Sequence, residues 1–153
     1  MDDIDRKILR LLQEDASLTN QALAERVGLS PSPCLRRVQA LREAGIIHRM
    51  VAVLDAKKVG AGFIAFVEVR LEKQSEPFSA KFEAAMLKRP EVLDCAFVAG
   101  EFDYMLKIAV ADLDAFHLFL TQVLARIDGV ANTRSTIPVK WVKQSTALKI
   151  GGG

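Results

Sequence analysis

The stretch GLSPSPCLRRVQALREAG, residues 28–45, decides the fold. Cys34, Val38 and Leu41 recur at helical spacing and mark the buried face of one helix. Gly45 closes it and Ser30 or Ser32 caps its start. Pro31 and Pro33 fit only there, because first-turn N–H groups have no intrahelical partner, whereas in mid-helix each proline would cost about 3 kcal/mol. With the apolar residues turned inward, the outward face carries Ser32, Leu35, Arg36, Gln39 and Ala40, flanked by Arg37 and Arg42.

Upstream of Gly28 lies a shorter helix. Thr19 caps it, Leu18 is placed to pack on Leu23 as a hydrophobic staple, and Val27 continues the apolar face. Before that, Ile4, Ile8, Leu11 and Leu12 form the stripe of a first helix behind Asp2 or Asp3 as N-cap. Two short helices joined by a tight turn with glycine set the second across the first, the helix-turn-helix geometry that presents a reading helix to the major groove. The side chains suit that task. Arginine pairs with guanine O6 and N7, glutamine pairs with adenine, and small serines let backbone approach phosphate. Residues 46–54, with His48 and Arg49, are expected to form a β-ribbon or wing.

Charge divides the chain in the same way. Residues 26–60 carry seven basic side chains against Glu43 and Asp55, a net +5, although the whole protein is only +2. Residues 1–25 carry three basic and six acidic side chains, and residues 61–153 balance at eleven of each. Attraction for a polyanion therefore resides in the first third. The expected DNA-contacting residues are Ser30, Ser32, Leu35, Arg36, Arg37, Gln39 and Arg49, and the partner is double-stranded DNA.

From Gly62 the pattern alternates. Strands are expected over 63–71, 92–99 and 104–111, with a last strand after Asp128-Gly129. Helices are expected over 77–89, with Phe78, Phe82, Ala85 and Met86 inward, and after the cap Asp112, with Leu113, Phe116, Leu120, Val123, Leu124 and Ile127 inward. This is a ferredoxin-like βαββαβ order, an antiparallel sheet with both helices on one face. The fold class is α+β: a winged helix-turn-helix over residues 1–54, a linker over 55–62 and the ferredoxin-like domain over 63–150. The other sheet face would carry Ile64, Phe66, Glu68, Val92, Ala96, Met105, Lys107 and Val142, too apolar to remain in water. A second subunit is expected to cover it, giving a homodimer that holds two reading helices for a pseudo-palindromic site. Gly151 to Gly153 read as an unstructured tail.

Other classes are disfavoured. No apolar run approaches the roughly 20 residues of a membrane-spanning helix, and the acidic start is unlike a signal peptide, so a cytoplasmic protein without a membrane partner is expected. Cys34 and Cys95 stand far apart and read as buried thiols, neither a disulfide nor a zinc pair. His48 and His117 fall in different domains with no carboxylate or cysteine at ligand spacing. There is no phosphate loop, no Ser/His/Asp constellation and no HExxH, so neither an enzyme nor a metal or other cofactor is expected.

Taken together, Asp2-Asp3-Ile4-Asp5, Ile8-Leu9, Leu23-Ala24, the run Gly28 to Cys34, Arg37-Val38, Leu41 and Gly45-Ile46-Ile47 resemble the leucine-responsive/asparagine-specific (Lrp/AsnC) regulators. Pro90-Glu91-Val92, Gly100-Glu101-Phe102-Asp103-Tyr104, Gly129-Val130 and Thr133 extend the likeness through the second half, from about Asp2 to Ile150. The resemblance implies an ACT-like effector and oligomerisation domain, dimers that assemble further, often to octamers, and an amino-acid effector such as leucine bound at a subunit interface. It points to Val98, Ala99, Gly100, Glu101 and Asp103, with Thr133 and Ser135 as neighbours on the last strand. Ser135 stands where the family often has threonine. On the residues themselves, Gly100 allows a positive φ and room for a ligand, and Asp103 offers a carboxylate to an α-ammonium group. Two alternatives share these features: an architectural DNA-binding protein that senses nothing, and a regulatory subunit of an amino-acid enzyme.

Overall fold

A computed structural model describes residues 1–73 and 76–151, so Gly152 and Gly153 of the expected tail lie outside the described residues. The chain forms two compact units, one made of residues 1–52 together with the segment from Val142 on, the other spanning Val53–Trp141. Among the described residues no helix is long and apolar enough to cross a membrane.

The first unit holds α1 (Asp3–Glu14), α2 (Asn20–Val27) and α3 (Pro31–Glu43). Asp2 is the N-cap of α1. Its Oδ1 accepts from the Asp5 N–H at 2.9 Å, and Asp5 Oδ2 accepts from the Asp2 N–H at 3.0 Å, a reciprocal box that satisfies two otherwise unpaired donors. Thr19 caps α2 through the Ala22 N–H, and Gly28 ends that helix in the left-handed region at φ 76°. Ser30 occupies the N-cap of α3 with Pro31 behind it, yet its hydroxyl makes no capping bond. Ile8, Leu23, Ala24, Val27, Cys34, Val38 and Leu41 are buried together between the three helices. Burial raises the Cys34 thiol above its ordinary pKa, so it packs as a small apolar group. The C-terminal segment joins this unit rather than the sheet: the Gln13 side chain accepts from Leu148 N and donates to Leu148 O, and Ile150 packs against the cluster.

Residues 46–55 form neither strand nor helix, which differs from the expected ribbon. A ribbon needs a second strand at hydrogen-bonding distance, and the three-helix unit contains no strand among the described residues. The expected linker is a turn in which Asp55 accepts from the backbone N–H groups of Lys57 and Lys58.

The second unit runs β1 (Phe63–Leu71), α4 (Glu76–Leu87), β2 (Val92–Phe97), β3 (Tyr104–Val110), α5 (Leu113–Leu118) and β4 (Val130–Thr136). Its antiparallel sheet has the order β2-β3-β1-β4, as the ferredoxin-like expectation requires. Strict alternation along β1 buries Ala65, Val67, Val69 and Leu71 on the helix side with Tyr104, Leu106, Ile108, Phe82 and Met86. After Leu118 the last helix widens into a π turn over Phe119–Val123 and tightens over Leu124–Arg126. Phe116 and Leu124 are buried and Leu120, Val123 and Ile127 pack against the same core, as expected; Phe119, at the start of the π turn, is buried as well, and only Leu113, in the first turn of the helix, is 59% exposed instead.

Three further expectations change. A register shift in β2 turns Val92 toward the helix-side core, and Val142 lies beyond β4, so neither belongs to the open sheet face. Cys95, on the edge strand β2, is exposed rather than buried. Gly100 does not take the positive φ that the sequence suggested; Gly129 does, at 91°, in the turn before β4, where a Cβ would collide with the Phe78 ring.

Candidate functional site

On α3 the burial of Cys34, Val38 and Leu41 leaves Ser32, Leu35, Arg36 and Gln39 exposed on one face, with Ser30 exposed just before the helix. Arg49, in the extended segment after it, is exposed as well. Among the described residues Arg36 makes no ion pair or hydrogen bond, so its guanidinium is available to an incoming partner. The turn between α2 and α3 has a fastener that sequence reasoning missed: Asn20 Nδ2 donates to the Pro31 carbonyl at 2.8 Å. An asparagine following a threonine cap carries no marker of that longer reach.

Arg37 sits differently from its neighbour. Its Nη1 donates to Asp2 Oδ2 at 2.7 Å and to Asp5 Oδ1 at 2.8 Å, so α3 is bridged to the N-terminus of α1. The Asp5 N–H and then the Arg37 guanidinium hold the Asp2 carboxyl below its ordinary 3.8. Arg134 likewise holds Glu68 below 4.5. A carboxyl whose folded pKa is depressed stabilises the fold above its unfolded value, and that contribution disappears as pH falls through the folded value. The urea midpoint is therefore expected to fall between about pH 5 and about pH 2, less steeply in Asp2→Asn and Glu68→Gln. A midpoint that holds or rises on acidification contradicts these ion-pair assignments.

In the second unit, residues 98–103 link β2 to β3 beside the end of β1. The Val98 N–H donates to Asp103 O and the Asp103 N–H to Val69 O, both at 2.9 Å. Asp103 is only 4% exposed, and its Oδ2 accepts from the Leu71 N–H at 2.7 Å. Its carboxylate thus faces inward and ties the loop to β1, instead of standing open to an ammonium group. Ala99, Gly100 and Glu101 are exposed, and Val98 is half-buried. Thr133 and Ser135 pair with Val69 and Val67 and so lie on the helix side of β4.

The opposite side of the same sheet end holds a cluster that the sequence reading did not assemble. Phe102 is buried beneath two cations, with the Arg70 and Arg134 guanidinium carbons 5.2 and 4.7 Å from its ring centre. Arg70 Nη2 also donates to the Glu101 carbonyl at 2.6 Å, and Arg134 pairs with Glu68. Strand alternation puts Arg70 on this face, beyond the residues expected there from sequence; its meeting with Arg134 depends on the β1–β4 register, which no local pattern encodes. Among the described residues no group of histidines, cysteines and carboxylates could hold a metal ion, and His48 and His117 are both exposed.

Residues 1–48 match the winged helix-turn-helix DNA-binding family, and residues 64–148 match the Lrp/AsnC ligand-binding domain. The chain belongs to the Lrp/AsnC family. The leucine-responsive regulatory protein of Salmonella typhimurium is 41% identical over 150 residues, covering 98% of this chain and 92% of that protein. The same regulator from Escherichia coli K12 is 40% identical over the same span. Among solved structures, a transcriptional regulator from Neisseria meningitidis in complex with L-methionine is 40% identical. It has a TM-score of 0.94 and covers 97% of this chain and 96% of its own. An AsnC family regulator from Agrobacterium tumefaciens is 38% identical with a TM-score of 0.91, covering 97% of each chain. As an Lrp/AsnC protein, the chain is a DNA-binding transcriptional regulator with a ligand-binding domain.

Proposed function

We propose that this regulator reads promoter DNA sequence-specifically through α3 and alters its action when an amino acid binds beside the β2–β3 loop. The observation that carries the first half is the exposed Ser32, Leu35, Arg36 and Gln39 face, offered by a helix-turn-helix in a segment of net charge +5. Arg36 and Gln39 are the base-reading candidates, while Ser30, with its hydroxyl outside the cap, and Arg49 suit phosphate. Arg37 supports the helix from behind. The molecule works without catalysis, as a homodimer that assembles further, to octamers, in the cytoplasm.

For the effector, the exposed loop residues Ala99, Gly100 and Glu101 are the contact candidates, with Val98, Thr133 and Ser135 close by and Asp103 holding the loop's shape. Glu101, exposed and paired through Oε1 with Arg70 at 3.2 Å, is the acidic group an α-ammonium would have to share or take over, and the backbone at Gly100 has open space around it. Relatives named leucine-responsive, and the Neisseria regulator bound to L-methionine, make leucine and methionine the first compounds to test. Thermal unfolding against each of the twenty amino acids at millimolar concentration is the experiment. A ligand at a hundred times its dissociation constant adds about 2.7 kcal/mol, a shift of several degrees. The expected result is a shift with one or a few amino acids that Glu101→Ala diminishes. An unmoved transition with all twenty overturns the amino-acid half of the proposal.

A further inference from the structure

Arg37 looks in sequence like the twin of Arg36, and the fold separates them. Arg36 is exposed without a partner among the described residues, whereas Arg37 is half-buried and its Nη1 bridges Asp2 and Asp5 at 2.7 and 2.8 Å. Those carboxylates are not incidental surface charges. They are the two members of the capping box of α1, each already fixed by a backbone N–H of the other residue. The guanidinium therefore docks onto a rigid receptor, and less side-chain freedom is lost than in an ordinary surface pair.

The charge balance points the same way. Two carboxylates face the single guanidinium, so a phosphate approaching this spot meets net negative charge. Mechanically, Cys34, Val38 and Leu41 pack α3 against the core, but smooth apolar contacts tolerate small rotations about the helix axis. A two-point ionic anchor one residue from Arg36 removes that freedom. We propose that Arg37 is a positioning residue: by clamping α3 to the capping box of α1, it sets the angle at which Arg36 and Gln39 meet DNA without touching DNA itself.

This inference rests on the DNA-binding reading of α3, and the test separates the two. Affinity for a labelled mixed-sequence duplex is measured over a range of salt concentrations with the full chain, as wild type, Arg49→Gln, Arg37→Gln, Asp2→Asn/Asp5→Asn, and the last two combined. Each phosphate contact contributes about 0.9 to the slope of log affinity against log salt. The expected outcome is that Arg49→Gln, the loss of a phosphate candidate, lowers the slope by about that amount. Arg37→Gln weakens binding about fivefold, the scale of one partly exposed ion pair, with the slope unchanged. In the Asp2→Asn/Asp5→Asn background Arg37→Gln costs nothing further, because the clamp is already gone. If Arg37→Gln lowers the slope by about 0.9 and costs the same in both backgrounds, Arg37 is a phosphate contact and the proposal is overturned. A wild-type chain that binds no duplex overturns the DNA reading itself, and with it this one.

Discussion

Arg36→Ala is expected to lower affinity for a cognate promoter fragment by roughly five- to 150-fold, the 1 to 3 kcal/mol that one good base-reading side chain supplies. The size follows from what Arg36 lacks. It has no partner to lose within the described chain, so truncation leaves fold and stability unchanged and the whole cost appears in binding. The loss is also sequence-dependent. A guanidinium reading a guanine edge discriminates between sites, so the variant approaches wild type on mixed-sequence duplex and differs most on the cognate site. Quantitative footprinting or anisotropy on both fragments makes the distinction. Equal affinity of Arg36→Ala and wild type for the cognate site removes Arg36 from the reading face.

The contrast between Arg36 and Arg37 marks how far the sequence could be read. Local signals placed α3 well: the glycine at φ 76°, two prolines in the first turn and three apolar residues on one face all agree with the structure. Helical spacing says which side chains turn away from the core, and it put both arginines there. It cannot say that Asp2 and Asp5, more than thirty positions earlier, wait at hydrogen-bonding distance of one of them. Asp103 is the same case on the other unit: a Gly-x-x-Asp loop reads as an open carboxylate, and only the β1 backbone beside it reveals an inward, structural one. Where a feature is set within one element, as in β1 with its alternating burial, the expectation held. The β-ribbon after α3 did not form because a ribbon needs a pairing partner, and the burial of Phe119 was not legible because a π turn breaks the helical period there.

Phe66→Arg is expected to convert the proposed homodimer to monomers over the micromolar range, read by sedimentation or light scattering, and to lower promoter affinity steeply. Phe66 lies mid-strand on β1, a central strand, on the face opposite both helices. Ile64 flanks it on the same strand, Met105 lies on this face of the adjacent β3 with 41% of its surface exposed, and Trp141 packs its ring edge-on against Phe66. An isologous pairing of two such faces presents the same apolar patch twice, so one substitution introduces two unpaired guanidinium groups into one interface. An unpaired buried charge costs about 3 to 5 kcal/mol, which weakens dimerisation by at least two orders of magnitude. In the monomer the substitution gives up the Trp141 ring contact but leaves the helix-side core of Val67, Val69, Tyr104 and Phe82 untouched, so the melting transition of the isolated subunit remains cooperative. DNA affinity falls because each monomer engages one half-site and loses the effective concentration that links two reading helices. A Phe66→Arg protein that remains dimeric at nanomolar concentration places the subunit contact elsewhere, and would send attention to the exposed Leu93 and Phe97 along the β2 edge.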